Sequence, residues 1–381
     1  MVQIEDRHPS MPIAQSVYDR EKLLLAPYAM HSANSLGRIY PEAPHPYRGP
    51  FQRDRDRILH SSAFRRLSGK MQVFTGEMGD YHRTRLTHTQ EVASIARTVG
   101  RTLKLNEDLI EALALMHDLG HPPYGHAGED ALNECAEHTG GFSHNQFGLV
   151  IVQEMEIRFG QYPGLNLTRE VLAGQTARID KEAKGPKPLL EVQLVDAADS
   201  MTYDAHDTDD AIKLGLVNLE EMKKIDLIAE CIEFVTNNYV GLNEELMRQA
   251  VVHRLLDCQV SGLVKHCQAR LEQLGLESVE EAMNSDFLIS VDGELSQKKK
   301  ELEKFLHQNV YRHPKLKKIR ERAQSRLKRM YYEFCENPDW FPEKYRERAN
   351  QIGIDRMAVE YIAGMTDHFC EEYYQKMFGD T

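Results

Sequence analysis

The sequence contains no apolar run of the length a bilayer span requires. Its six cysteines (Cys135, Cys231, Cys258, Cys267, Cys335, Cys370) are scattered and include no CxxC pair, so a disulfide framework and a thiolate zinc site are both poorly supported. The opening residues MVQIEDRHPSMPIAQSVYDR lack the charged-then-apolar pattern of a secretory signal, and a cytoplasmic location with no membrane partner is the expectation. Alternating apolar and polar patterns are few and no internal repeat is present; FLISVDG is the one stretch that reads as a short strand. Positive charge is also in deficit. A net charge of −12 argues against a surface built wholly for nucleic acid. The exception is local: between Lys298 and Arg329 there are thirteen Lys/Arg and three Glu, which is either a solvated helical face or an anion-binding stretch.

What is present is helical. With 41% hydrophobic and 28% charged residues the chain is an ordinary globular sequence, and 381 residues suffice for a substantial core. Residues 1–50 end in PEAPHPYRGP and read as an irregular arm. Asn106 is placed to cap a helix whose first turn carries Glu107 and Asp108 and whose body, LIEALALM, is too long and too uniformly apolar for a strand. Gly120 and the two prolines that follow His121 stop it. Ser143 through Gln146 has the spacing of a capping box before FGLVIVQEM. After the polar loop KEAKGPKP a third helix is predicted from about Leu189 to Leu214, with further amphipathic stretches beyond Asn218. The predicted class is all-α.

Seven of the seventeen histidines fall between His82 and His144. His88 lies on a helix whose apolar residues include Leu86, Val92, Ile95, Ala96 and Val99. His117 and Asp118 end the most apolar helix, where an ionised carboxylate is costly without a partner. A divalent cation would satisfy it, and mixed imidazole and carboxylate donors suit several ions. On the third helix Asp196, Asp199, Tyr203, His206 and Asp210 share one stripe, either a solvent-facing edge or the source of a further carboxylate ligand.

The ordered set His88, His117-Asp118 and Asp199 resembles the H…HD…D pattern of the HD superfamily. The strings DRDRILHSSAFRRLSGKMQVF, RLTHTQEVA, HDLGHPPYGHAGE, DAADSMTYDAHDTDD and EYIAGMTD, from about Phe51 to Asp367, resemble its deoxyguanosine triphosphate triphosphohydrolase branch. That resemblance implies an HD-domain helical bundle over residues 51–215, with a C-terminal helical region, 216–381, packing on it and completing a phosphate site. It implies His88, His117, Asp118 and Asp199 as ligands of a divalent ion, Mn2+ or Mg2+ first, with Ni2+, Fe2+, Zn2+ and Co2+ also suited. His126, oriented by Glu129 three residues on, is the expected general acid, with His121 beside the phosphates. Arg85, one turn before His88, is expected on the phosphates, as are Lys304, Tyr311 and Arg312. Tyr203 is expected under the sugar, with Gln72 and Asp207 on its 3′-hydroxyl.

The implied reaction converts a deoxynucleoside triphosphate, dGTP or other dNTPs, to the deoxynucleoside and inorganic tripolyphosphate. Similar enzymes form hexamers or tetramers, and some need a nucleotide activator. Two other readings stay open on the sequence. One is an HD phosphohydrolase for another nucleotide phosphoester. The other is a nucleotide sensor or single-stranded DNA-binding protein that uses the basic stretch.

Overall fold

The computed structural model describes residues 16–72, 83–158, 160–180 and 185–379. The first fifteen residues of the arm, His82, the end of KMQVF and the start of KEAKGPKP lie outside the described residues. Every regular element among the described residues is a helix; β structure is limited to two isolated bridges, Arg38 to Thr168 and Met71 to Thr84. The all-α expectation holds. FLISVDG is not a strand. Phe287 and Ile289 bury their side chains, but the Ile289 amide donates to Gln193 Oε1 at 3.1 Å instead of to a neighbouring strand. An isolated apolar run cannot distinguish a strand from a buried extended segment.

At the centre is the Glu107–Met116 helix, capped as expected by Asn106, whose side chain accepts from the Leu109 amide. Leu109, Ile110, Ala112, Leu113, Ala114, Leu115 and Met116 are all buried, and only Glu107, Asp108 and Glu111 keep partial contact with solvent. Helices Pro50–Leu59, Arg85–Thr102, Arg169–Ala177 and Leu190–Lys213 surround it. A Cβ on Gly100 would come within 2.2 Å of Ile110 Cδ1, so the glycine permits the close approach of the Arg85–Thr102 helix to the central one. The central helix delivers His117 and Asp118 to its own C-terminal end, where the surrounding helices converge.

The arm is not irregular throughout. Ser16 caps a helix over Val17–Leu24, and buried Glu21 on it accepts from the amide and hydroxyl of Ser32. Farther along, Arg38 pairs with fully buried Asp54, which also accepts from Thr168. The proline-rich composition conceals these polar anchors because each partner is far away in sequence.

The C-terminal helices join the same packing. One apolar core runs from Ala29 through Met201 and takes in Leu263, Leu327, Phe334, Met357 and Tyr374; a smaller one lies between Ala211 and Leu316. Buried Lys70 spans the two halves, donating to the carbonyls of His121 (2.5 Å) and Ala363 (2.9 Å). Asp367 does the same with acceptors, taking the amides of Met71 (2.9 Å) and Tyr124 (3.0 Å).

The capping box expected at Ser143 does not form, since its side chain makes no cap hydrogen bond. The first amide of the helix, that of His144, donates to Glu129 Oε1 at 2.9 Å, so this end is capped by a carboxylate from another helix. The loop carrying His121 presses against this helix so closely that a Cβ on Gly120 would lie 1.9 Å from the His144 carbonyl oxygen and 2.5 Å from the Gly148 nitrogen. Gly120→Ala is therefore expected to destabilise the protein by about 3 kcal/mol, since the obstacle is backbone and cannot swing aside. Gly293→Ala, at a helix start with nothing within 4 Å, is expected to leave stability unchanged or slightly raised. Urea unfolding of the two variants checks this; equal midpoints would contradict it.

Candidate active site

His88 and His117 face each other with ring centroids 5.7 Å apart. His88 Nε2 is 2.9 Å from Asp199 Oδ1, and His117 Nε2 is 3.7 Å from the same oxygen and 3.4 Å from Asp118 Oδ1. The neighbouring groups fix which nitrogens carry protons. His117 Nδ1 donates to the Ala114 carbonyl at 2.6 Å, leaving Nε2 as a buried lone pair without a hydrogen-bond partner. His206 Nε2 is 2.5 Å from Glu91 Oε2 and so carries the proton; its Nδ1 then accepts from His88 Nδ1 at 3.3 Å, which in the neutral His88 ring puts the lone pair on Nε2.

Two lone pairs and two carboxylates therefore converge in a site where only Asp199 keeps substantial exposure. Burial holds the His117 imidazole below its ordinary pKa, keeping it neutral. Burial alone would raise the Asp118 and Asp199 carboxyls, yet both are held below the usual carboxylate range by the positive charge around them, which includes Arg85 beside Asp118 and Arg178 near Asp199. A lone pair set against a carboxylate oxygen at 2.9 Å is repulsive unless a cation lies between them. The donor set fits a divalent ion, and the Glu91–His206 pair orients one ligand from behind, as carboxylate–histidine pairs do around metals.

A second group, His121, Glu129 and His144, also has its donor atoms close together. Its proton balance differs. Glu129 Oε1 accepts from the amide and Nδ1 of His144 (2.9 and 2.6 Å), and Oε2 accepts from His126 Nδ1 at 3.2 Å. Both oxygens are occupied by N–H donors, and Glu129 is held far below the ordinary glutamate range despite its burial by His126 and His144. His121 stacks on His144 with centroids 3.8 Å apart. In this cluster the carboxylate is filled by N–H donors, whereas the first presents lone pairs and carboxylate oxygens that could hold a cation.

Both border one cavity of about 540 Å³, within the range of small-molecule sites. Of the residues singled out in the sequence, Gln72, Arg85, His88, His117, Asp118, His121, His126, Asp199, Tyr203, Asp207 and Tyr311 line it. Glu129 stands behind His126. Arg85 is buried and donates to Asp118 Oδ2 at 3.0 Å. Gln72 arrives through the Met71–Thr84 bridge, where its amide meets the Arg83 carbonyl at 3.0 Å. Tyr203 and Tyr311 stack nearly parallel, 6.4 Å apart. The polar stripe of the third helix is thus more than a solvent edge: Asp196, Asp199, Tyr203 and Asp207 face the cavity, and His206 packs against His88.

Lys304 and Arg312 are exposed and do not line the cavity. The cavity face of that segment is Glu303, His307 and Tyr311, a spacing of four and four carried through a π turn at His307–Tyr311. The turn leaves Lys304 and Arg312 on either side of the face. Arg53 and Arg57, other cations of the Phe51 region, are engaged with Glu42.

The sequence reading missed Glu91, Asn145, Arg178 and His307. Glu91 was within reach, three residues after His88 on one helix face; Arg178 sits in no motif. Glu91→Gln is expected to weaken Mn2+ binding about tenfold or more by releasing the His206–His88 proton order. Titration followed by electron paramagnetic resonance checks this, and an unchanged affinity would refute the orienting role.

Comparison with known proteins agrees with this geometry. The HD domain family matches residues 85–204, and the phosphohydrolase-associated domain matches residues 289–376. The chain is 37% identical over 369 residues to a deoxyguanosinetriphosphate triphosphohydrolase-like protein of Geobacter sulfurreducens, covering 94% of this chain and 96% of that one. It is 36% identical over 366 residues to the protein of the same description from Ralstonia pickettii (93% and 94% covered). For the protein so described from Leptospira interrogans the identity is 38% over 370 residues (94% and 97% covered). The chain belongs to the deoxyguanosinetriphosphate triphosphohydrolase-like family of metal-dependent HD phosphohydrolases.

Proposed function

We propose that the protein hydrolyses deoxynucleoside triphosphates, dGTP or other dNTPs, to the deoxynucleoside and inorganic tripolyphosphate. The observation that carries the reading is the shared cavity, with the His88, His117, Asp118 and Asp199 quartet and the His126–Glu129 pair beside a polar, aromatic end formed by Tyr203, Tyr311, Gln72 and Asp207. The names of the relatives point the same way.

The quartet would hold a divalent ion, Mn2+ or Mg2+ first, which when bound supplies Lewis acidity toward a phosphoryl oxygen and lowers the pKa of water. The chain's own groups do the rest. Arg85, fixed on Asp118, contributes a buried positive charge at the phosphates. His126 holds its Nδ1 proton on Glu129 and turns its other nitrogen to the cavity, from which it donates a proton to the departing 5′-oxygen; the Glu129 carboxylate stabilises the imidazolium before that transfer. At the other end, Gln72 Oε1 and both carboxyl oxygens of Asp207 are buried without partners, acceptors suited to a sugar hydroxyl. Burial beside Asp210 and Asp204 pushes the Asp207 carboxyl well up, which favours its protonated form, able both to donate to and to accept from a sugar hydroxyl. The Tyr203 ring forms the wall that excludes a 2′-hydroxyl.

Incubation with Mn2+ or Mg2+ and each of the four dNTPs and GTP, with products resolved by anion-exchange chromatography, tests the reading. Deoxynucleoside plus tripolyphosphate, with GTP untouched, is the expected result. Monophosphate plus pyrophosphate would move the cut to another bond, and no loss of any nucleotide would refute the reading. His126→Ala is expected to lower kcat about 100-fold or more, and Tyr203→Ala to reduce dNTP over rNTP discrimination about tenfold. Full turnover in the first or unchanged discrimination in the second would refute the role assigned.

A further inference from the structure

The Leu190–Lys213 helix runs along the cavity as a ruler. Asp196, Asp199, Tyr203 and Asp207 line it in that order, spanning about 16 Å at 1.5 Å per residue. The ligand Asp199 lies between two unlike ends. Toward the C-terminus are the aromatic ring and unpartnered acceptors that suit a nucleoside. Toward the N-terminus, Asp196 faces one side chain from a different helix, Arg178.

Arg178 is the residue at which the Arg169–Ala177 helix ends. Its side chain is 10% exposed, a degree of burial unusual for arginine unless it is paired, and it lines the cavity with Asn145, His117 and Asp199. Its charge is felt at both of those ligands. Its Nη2 lies 2.5 Å from Asp196 Oδ1, yet the approach is misdirected and that nitrogen has no hydrogen bond of proper geometry. Asp196 is 40% exposed and free to turn to water. Of the two guanidinium groups lining this cavity among the described residues, Arg85 is committed to Asp118 and buried behind it; Arg178 has a partner it can exchange.

We propose that Arg178 receives the terminal phosphate of the substrate, with Asp196 as the counter-ion it gives up, so that the distance from Tyr203 past Asp199 to Arg178 measures the length of the polyphosphate chain. This rests on the nucleoside lying at the Tyr203 end. A guanidinium offers paired, directed donors to a phosphate, and swapping a half-exposed carboxylate for a multiply charged phosphoryl group strengthens the pairing. A nucleoside diphosphate, one phosphoryl shorter, leaves Arg178 on Asp196 and forgoes that gain. Arg178 is thereby a specificity residue for the triphosphate, remote from the bond that breaks.

Isothermal titration of the full chain with inorganic tripolyphosphate, pyrophosphate and orthophosphate, in the presence of Mn2+, reads the effect without turnover. The wild-type protein is expected to bind tripolyphosphate more tightly than pyrophosphate. Arg178→Gln should weaken tripolyphosphate about tenfold or more while leaving pyrophosphate within about twofold, and Arg178→Lys should recover part of the loss. Asp196→Asn, which frees the guanidinium and disturbs no core packing, should tighten tripolyphosphate more than pyrophosphate. In kinetics, Arg178→Gln should raise KM for a dNTP with kcat little changed. Equal weakening of all three anions, no weakening of tripolyphosphate, or looser tripolyphosphate binding in Asp196→Asn would each overturn the proposal. Absence of dNTP turnover in the wild-type protein would instead overturn the substrate reading, and the anion titrations would still decide the role of Arg178.

Discussion

Two imidazole lone pairs and two carboxylates gathered at the wall of one cavity form the constraint on which the rest of the structure depends. Without a cation such a site is strongly repulsive, and desolvation of ionised carboxylates costs far more than any single contact returns. His117 and Asp118 come from the end of a helix buried along its apolar body, His88 from a second helix and Asp199 from a third. The packing of those three helices, down to the glycine that lets two of them approach, therefore sets the geometry of the ligands. Apolar burial supplies the stability that can tolerate the site, and the site explains why so apolar a helix ends in a histidine and an aspartate.

Around this centre the polar groups are divided by proton count. Glu91 and His206 hold His88 with its donor nitrogen inward, and Ala114 does the same for His117. A few residues away Glu129 gathers N–H donors from His126 and His144 on both oxygens. Similar residue types thus reach opposite ends: one cluster presents only acceptors, the other has its acceptor filled. The C-terminal helices contribute closure. Lys70 and Asp367 fasten the His121 and Tyr124 loop to the last two helices, and the His307–Tyr311 turn lays Tyr311 over Tyr203.

Much of this was legible in the sequence, for identifiable reasons. The central helix announced itself by an N-cap, two first-turn carboxylates and an unbroken apolar body, all local signals. The polar stripe of the third helix was visible as a periodicity, though only the fold decides that it faces a cavity and not water. What failed was non-local. Ser143 has the residues of a capping box, but its side chain makes no cap bond, and Glu129, fourteen positions earlier, caps the helix through the His144 amide. Lys304 and Arg312 sit at reasonable spacings for a regular helix, and a π turn changes which side chains share a face. Arg178 carried no signal, because its meaning comes from Asp196 and from the cavity between two helices.

The most direct test of the account is an anomalous diffraction map at the manganese edge from crystals grown with Mn2+. One strong peak about 2.2 Å from His88 Nε2, His117 Nε2 and the carboxylates of Asp118 and Asp199 is the predicted result. A peak instead among His121, Glu129 and His144, or none at the His88–His117 site, would contradict the assignment of cation and proton chemistry on which the whole reading stands.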